Sequence, residues 1–434
     1  MILVYSHKNS ARLRYILQMV FTQFLGFEIK ITNQVEEFIA FEGVKISYTK
    51  SPIGSELFFS SHSIIFEKGI LDYTINVTSW NGQKVFFEQA ENSALPFDIF
   101  ASSFYLLSRY EEYLPHIKDR FQRFPAKESL AYKNGFLKTP IIEYWLIDLV
   151  AVIQTKFPDF KPKPREFKFV NTIDVDNAYC YLEKGIVRNV ASSIRSIINL
   201  DFEGLVERVK VLIGKEKDPY DTFDYLLRVQ NKYEFKSIYF FLLADYGHND
   251  KNIAVTSKKF QLLVKSMADY VKVGIHPSWA SNTNSEKLPL EIQRLETITK
   301  REVFRSRQHF LKLDLPTTYR RLIDLGITED YTMGYASQVG FRAGTSLPFY
   351  FYDLDMEVQT QLVLHPFALM DGTLNEYMEL PVDDAQYLIK ELMDRVKQVN
   401  GTFISLWHNE TVSDNRHWND WKQVYEFTIE QACK

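Results

Sequence analysis

Cysteine is almost absent from this chain. Two occur in 434 residues, Cys180 and Cys433, so neither a disulfide framework nor a thiolate zinc site is available, and a reducing compartment is expected. Long apolar runs are missing too. The longest, Ile141 to Ile153, is interrupted by Glu143 and Asp148 and falls short of the ~20 residues that span a bilayer. The first residues have no basic segment ahead of an apolar one and no small-residue cleavage site, so the expectation is a retained N-terminus and a cytoplasmic protein. Neither sign of charge is in excess: Lys plus Arg number 51 and Asp plus Glu 55, a net −4. Phosphate backbones are held by concentrated basic surface, which argues against nucleic acid as a partner. No G-x-G-x-x-G follows the first strand and no G-x-x-x-x-G-K-[ST] occurs, so dinucleotide and P-loop chemistry lack support.

What is present is ordinary globular composition, 46% hydrophobic and 24% charged, with a high aromatic share of 15% that suits cores and sugar rings alike. Ile2 to Tyr5 reads as a strand. Leu13, Ile16, Leu17, Val20, Phe21, Phe24 and Leu25 then recur at steps of three and four, the stripe of an amphipathic helix beginning near Ser10. Val44 to Tyr48 and, past an Asn81-Gly82 turn, Val85 to Phe87 are β-rich, and Pro96 to about Ile153 turns helical. Adjacent Glu111 and Glu112 do not face one another on a helix, which points to a structural or solvated role. Lys161-Pro162-Lys163-Pro164 cannot continue a helix. It divides the chain into a smaller α/β domain, 1–165, and a larger one, 166–434. In the larger part, strands are expected at Phe167 to Ile173, Ile238 to Leu243, Val271 to Ile275, Val303 to Arg305, Ile327 to Tyr331 and Phe403 to Trp407, separated by helical patterns. That alternation is the mark of a βα barrel or a doubly wound sheet.

In such folds chemistry gathers where strands end. Asp174 and Asp176 follow the first strand of the larger part, and at spacing two they share one side of an extended chain. Two carboxylates that close need a cation or an arginine between them. His276 falls just after the third strand, Arg307 and His309 after the fourth, and His408 after the last. Carboxylate plus imidazoles is the ligand set of a catalytic divalent metal, typically zinc, with cobalt or nickel as alternatives. His365, before Pro366, is a lesser candidate. Trp279 and Trp407 lie beside these imidazoles as candidate faces for a sugar ring. Arg342, between Gly340 and Gly344, is read two ways: a contact to a substrate anion, or part of a tight turn.

Over about Phe167 to His408 these residues resemble the polysaccharide deacetylase family, with its NodB-homology fold (carbohydrate esterase family 4). Thr172-Ile173-Asp174-Val175-Asp176 looks like the D-x-D form of its first motif, Gly274-Ile275-His276 with Ser278 like the start of H-[ST]-x-x-H, and Leu406-Trp407-His408 like the closing L-x-H. The resemblance implies a distorted (β/α) barrel carrying the smaller N-terminal α/β domain as an accessory. It implies Asp174 as catalytic base, Asp176 and His276 as metal ligands, Arg307 orienting the base, and His408 as proton donor. The chain departs from the pattern at Ala280, where the second imidazole would stand, and His309 is the expected substitute. The activity implied is metal-dependent removal of acetyl groups from a carbohydrate. The alternative is a silent barrel that binds a glycan or a protein partner. A two-carboxylate glycosidase fits poorly, because that chemistry needs its carboxylates roughly 5 Å or more apart with the sugar between them.

Overall fold

The computed structural model describes residues 1–434. Its first strand, β1 (Ile2–Tyr5), is fully buried, and Ser10 caps the following helix, its Oγ accepting the Leu13 amide at 3.0 Å. That bond satisfies one of the amides that a helix start leaves unpaired. The helix Ala11–Leu17 runs on as a π-helical stretch, Gln18–Phe24, and the stripe from Leu13 to Phe24 is buried. With β2 (Ile29–Thr32), β3 (Val44–Thr49) and β4 (Leu57–Ser60), β1 builds a parallel sheet in the order β2-β1-β3-β4. The Asn81-Gly82 turn joins a two-stranded ribbon, β5 (Val77–Trp80) and β6 (Gln83–Phe86). The segment expected to be helical from Pro96 to Ile153 holds three helices, Ile99–Leu107, the single turn Leu130–Lys133 and Ile141–Lys156, with loops and 3-10 turns between.

The second sheet has nine strands: β7 (Lys168–Val175), β8 (Ser237–Phe241), β9 (Lys272–Ile275), β10 (Arg305–Ser306), β11 (Glu329–Asp330), β12 (Phe349–Asp353), β13 (Val358–Leu364), β14 (Leu369–Met370) and β15 (Thr402–His408). Their order is β12-β13-β11-β10-β9-β8-β7-β15-β14, and only β12 with β13 is antiparallel. Helices cover the strands, so β8 is buried on both faces and reads as an unbroken apolar run. The sheet is strongly curled. Strands β13 and β14 are seven places apart in that order, ~34 Å along a flat sheet, yet the chain from Leu364 to Leu369 reaches at most ~18 Å. The two edges therefore come round toward each other, but no ladder joins β12 to β14. The expected barrel is an open one.

The boundary near residue 165 separates the two sheets without dividing the core. One hydrophobic cluster of 95 buried residues takes side chains from both parts. Polar bonds cross as well: Arg12 pairs with Glu357, Tyr15 Oη donates to the Tyr350 carbonyl at 2.8 Å, and Glu143 accepts from Ser346 at 2.6 Å. Even the Lys-Pro stretch is tied down, Lys163 donating its amide to the Leu25 carbonyl at 3.0 Å.

Arg342 belongs to this seam. Its Nε and Nη2 donate to the two oxygens of Glu112 at 2.8 and 2.6 Å, and Arg109 Nε donates to the same carboxylate at 2.8 Å. All three side chains are buried. The neighbouring Gly340 has φ +128°, and a Cβ there would run into the Leu137 carbonyl. Arg342 is thus committed to packing, and the expected substrate contact gives way to the tight-turn reading. Glu111 and Glu112 are structural, as their spacing suggests, although they are paired in the interior and not solvated.

Candidate metal centre and active site

The parallel register places His408 of β15 directly beside Asp174 of β7. Asp176 follows the end of β7, His276 the end of β9, and Arg307 and His309 the end of β10. The structure brings Asp174, Asp176, His276, His309 and His408 to the wall of one cavity of about 160 Å³, with Arg307 buried directly behind Asp174.

All of these but Asp176 are held from behind. Arg307 Nη1 donates to Asp174 Oδ1 at 2.9 Å and to Thr172 Oγ1 at 2.7 Å, and its Nε donates to the Tyr331 carbonyl at 2.9 Å. His276 Nδ1 lies 2.6 Å from the Arg307 carbonyl, His309 Nδ1 3.0 Å from Asp250 Oδ1, and His408 Nδ1 2.8 Å from Asp371 Oδ1. A carbonyl or carboxylate can only accept, so all three imidazoles carry a proton on Nδ1 and turn Nε2 toward the cavity.

This arrangement leaves lone pairs facing one another. His276 Nε2 is 3.1 Å from Asp176 Oδ1 and His309 Nε2 is 3.4 Å from Asp176 Oδ2, and Asp176 Oδ1 receives no hydrogen bond. A proton or a metal ion has to sit between these atoms. One ligand atom from each of Asp176, His276 and His309 falls within 4.8 Å of the others, and each imidazole is oriented by a second acceptor, the usual support of a ligating histidine. The residues fit a divalent cation of the zinc type, three protein ligands with a position left open.

The same demand for positive charge appears in the titrations. Burial favours the neutral acid of Asp176, but the imidazoles of His309 and His276 outweigh it and hold the carboxyl well below its usual range. Burial pulls His309 down, and Asp176 and Asp250 push it up to about 9. For His408 burial again pulls down, while Asp371, Asp176 and Asp174 raise it well above an ordinary histidine. Glu410, on the cavity wall, is raised to about 7 by burial and by the carboxylates of Asp176 and Asp371, against the pull of His408.

Directly after His309 the chain reverses through Phe310 and Leu311, both left-handed at φ 58° and 53°. Non-glycine residues pay ~1–3 kcal/mol for such a backbone, and functional sites are where it persists. Arg123, from the first part of the chain, donates to the Phe310 carbonyl at 2.7 Å and lines the cavity with Phe310, Tyr377 and Trp418.

Neither tryptophan singled out from the sequence stands on the wall. Trp407 is fully buried and packs edge-on to Tyr425, because its β15 neighbours Leu406 and His408 point to the other face. Trp279 lies under the Lys312 ammonium at 3.9 Å and edge-on to Phe121 and Phe310, outside the cavity lining. The aromatic wall is formed instead by Phe310, Tyr377 and Trp418. His365 stacks flat on Tyr331 at 4.3 Å, away from the cavity. Asp250, Asp371 and Glu410 were not singled out from the sequence. Asp250 also accepts the amides of Trp279 and Ala280, so the turn that lacks the second histidine is fastened to the carboxylate that orients His309.

A family of unknown function, DUF7033, matches residues 2–158. Curated proteins give no match to the sequence. Among solved structures, the chain is similar to a protein provisionally named a polysaccharide deacetylase from Mycobacterium smegmatis, at 14% identity over 63% of this chain and 85% of that one, TM-score 0.41. It is also similar to the polysaccharide deacetylase of Bacillus cereus, at 10% identity over 62% and 86%, TM-score 0.31. A third is a CE4 family pseudoenzyme from Bacillus anthracis, at 11% identity over 61% and 62%, TM-score 0.30. Likenesses this distant decide nothing about chemistry, which rests on the residues themselves.

Proposed function

We propose that the chain is a metal-dependent hydrolase that removes acetyl groups from a carbohydrate. The observation that carries this reading is the Asp176 carboxylate facing two imidazole lone pairs, with Asp174 Oδ2 3.8 Å from His276 Nε2 and His408 Nε2 3.9 Å from Asp176 Oδ2. A divalent cation held by Asp176, His276 and His309, zinc before cobalt or nickel, supplies Lewis acidity toward an acyl carbonyl and makes water a better proton donor. Asp174 has one oxygen fixed by Arg307 and the other, Oδ2, turned toward His276 and the cavity. That free oxygen accepts the proton of the water whose oxygen attacks the acyl carbon. His408, kept protonated by Asp371, gives its proton to the nitrogen or oxygen that leaves as the acyl bond breaks. Acetate and the deacylated sugar result. Phe310, Tyr377 and Trp418 offer apolar faces on which a sugar ring can lie. On this reading residues 1–165 are an accessory unit that also builds the site, through Arg123 on the carbonyl next to His309.

The test is release of acetate from a panel of N- and O-acetylated sugars by the zinc-loaded protein and by Asp174→Asn. Turnover lost in the variant with metal retained is the expected result. An Asp174→Asn protein as active as the native one refutes the assignment. A native protein that neither takes up metal nor releases acetate leaves the glycan- or partner-binding barrel, which the alanine at position 280 favours.

A further inference from the structure

Between β7 and β8 the chain forms a helical hairpin, Gly185–Ile198 followed by Phe202–Leu212, that is packed the wrong way round for water. Part of its polar surface faces the protein: Ser196 and Arg208 are buried, Arg208 Nη1 donates to Ser193 Oγ at 3.1 Å, and Asn189 donates to the Tyr181 carbonyl at 3.1 Å. Its apolar groups face out. Ile186 is 83% exposed, Val187 82%, Ile198 73% and Leu200 73%, and the stripe continues through Phe202 and Val206 on the second helix. A helix of a water-soluble surface puts its apolar stripe inward, and a contiguous apolar patch on the outside marks a surface made for something other than water.

The charges indicate what that is. The first helix carries Arg188 and Arg195 and no carboxylate, and Lys184 immediately precedes it. The second helix has one exposed carboxylate, Glu203, whereas its Glu207 is turned to Tyr181 and Asn415 and its capping residue Asp201 to Arg416. Side chains exposed by more than two thirds have no walls around them, so they form a protrusion and not a groove. A protruding apolar stripe with basic flanks is what an interfacial helix presents to phospholipid. No helix of the chain is long and apolar enough to cross a membrane, so contact of this kind lies along the surface. We propose that the hairpin Gly185–Leu212 docks the protein on an anionic lipid bilayer, its apolar face in the acyl boundary and its basic residues at the headgroups. The Arg188 guanidinium stacks on Tyr246 at 4.2 Å and donates to the Asn252 carbonyl at 3.2 Å. Docking therefore brings the Asp250 loop to the lipid surface, and this holds whether or not the cavity is hydrolytic.

The experiment is co-sedimentation of the full chain with vesicles of phosphatidylcholine alone and of phosphatidylcholine mixed with phosphatidylglycerol. Binding is expected to the mixed vesicles above all, weakening as salt is added. The combined variant Ile186→Ser, Val187→Ser, Ile198→Ser, Leu200→Ser removes only exposed side chains. It should keep the native urea midpoint and bind at least ~10-fold more weakly. Arg195→Glu should reduce the preference for the anionic vesicles. Absence of binding to either vesicle overturns the proposal, and so does binding undiminished in the fourfold variant. If the protein ignores vesicles but forms a dimer that the fourfold variant dissociates, the face belongs to a second copy of the chain and the bilayer is wrong.

Discussion

The buried triad at the seam of the molecule makes a sharp stability prediction through Glu112→Gln. In the native chain burial alone would raise the Glu112 carboxyl, but the guanidiniums of Arg342 and Arg109 reverse this and lower it from 4.5 to about 2. A folded-state value below the unfolded one means that the ionised pair stabilises the fold above pH 4.5, and that this stability is lost as pH falls toward 2. The difference corresponds to about 3 kcal/mol at neutral pH. The independent expectation for removing one partner of a buried ion pair, ~3–5 kcal/mol, agrees. Glu112→Gln keeps the shape and removes the charge, leaving the buried Arg342 without a carboxylate and Arg109 with Glu111 alone. Urea unfolding at pH 7 should therefore place the variant about 3 kcal/mol below the native protein. At pH 4 the gap should be narrower by about 1 kcal/mol, because the unfolded native chain has begun to take up its proton there. A loss under 1 kcal/mol at pH 7, or a gap that stays constant on acidification, would show that the triad is not what joins the two parts.

Other outcomes follow from the site. His309→Ala should abolish stoichiometric zinc, measured by elemental analysis, whereas Asp250→Asn should keep the ligand and weaken binding ~10–100-fold in a chelator competition. Zinc retained at full affinity by His309→Ala places the third ligand elsewhere. Asp371→Asn takes away the largest of the groups that raise His408, so burial gains ground and the imidazole loses its proton at lower pH. The alkaline limb of the activity profile should then move down by ~1 unit or more, and an unmoved limb removes His408 from the proton donor's role. Gly340→Ala, at φ +128° against the Leu137 carbonyl, should cost about 2 kcal/mol or more in unfolding experiments; a neutral effect means the loop can relax.

Some of this was legible in the sequence, and the reasons are local. Ile2–Tyr5 and Ile238–Phe241 announce themselves by apolar runs and Val44–Tyr48 by its β-rich composition, and the polar residues that follow the strands of the large sheet could be picked out by position alone. Strand β7 extends to Val175, beyond the expected stop at Ile173, because Asp174 is paired on both sides, to His408 and Phe240. Strands of two residues, such as β14, leave no periodicity to read. With β14 unseen, Asp371 could not be connected to His408, although its carboxylate also takes the His408 amide at 2.7 Å. Asp250 was hidden for a similar reason, in a loop after β8 where sequence offers no sign of direction. Arg342 looked available because its partner, Glu112, lies 230 positions earlier. Trp407 was misread because strand-end position was weighed without the alternation of faces: its neighbour His408 lines the cavity, so Trp407 does not.

The place of β15 in the sheet has a consequence for biosynthesis. The last strand to be made lies between the first strand of its sheet and β14, with the residue pair Asp174 and His408 formed across that seam. A chain emerging from the ribosome can assemble β7 to β11 early. It cannot complete the cavity until β15 is out. Until then the open edge of β7 is an unpaired strand, the kind of surface that recruits the wrong neighbour. Truncation upstream of residue 402 should therefore yield an aggregating product and not a weakened protein, and slow synthesis should gain little, since what is awaited is β15 itself.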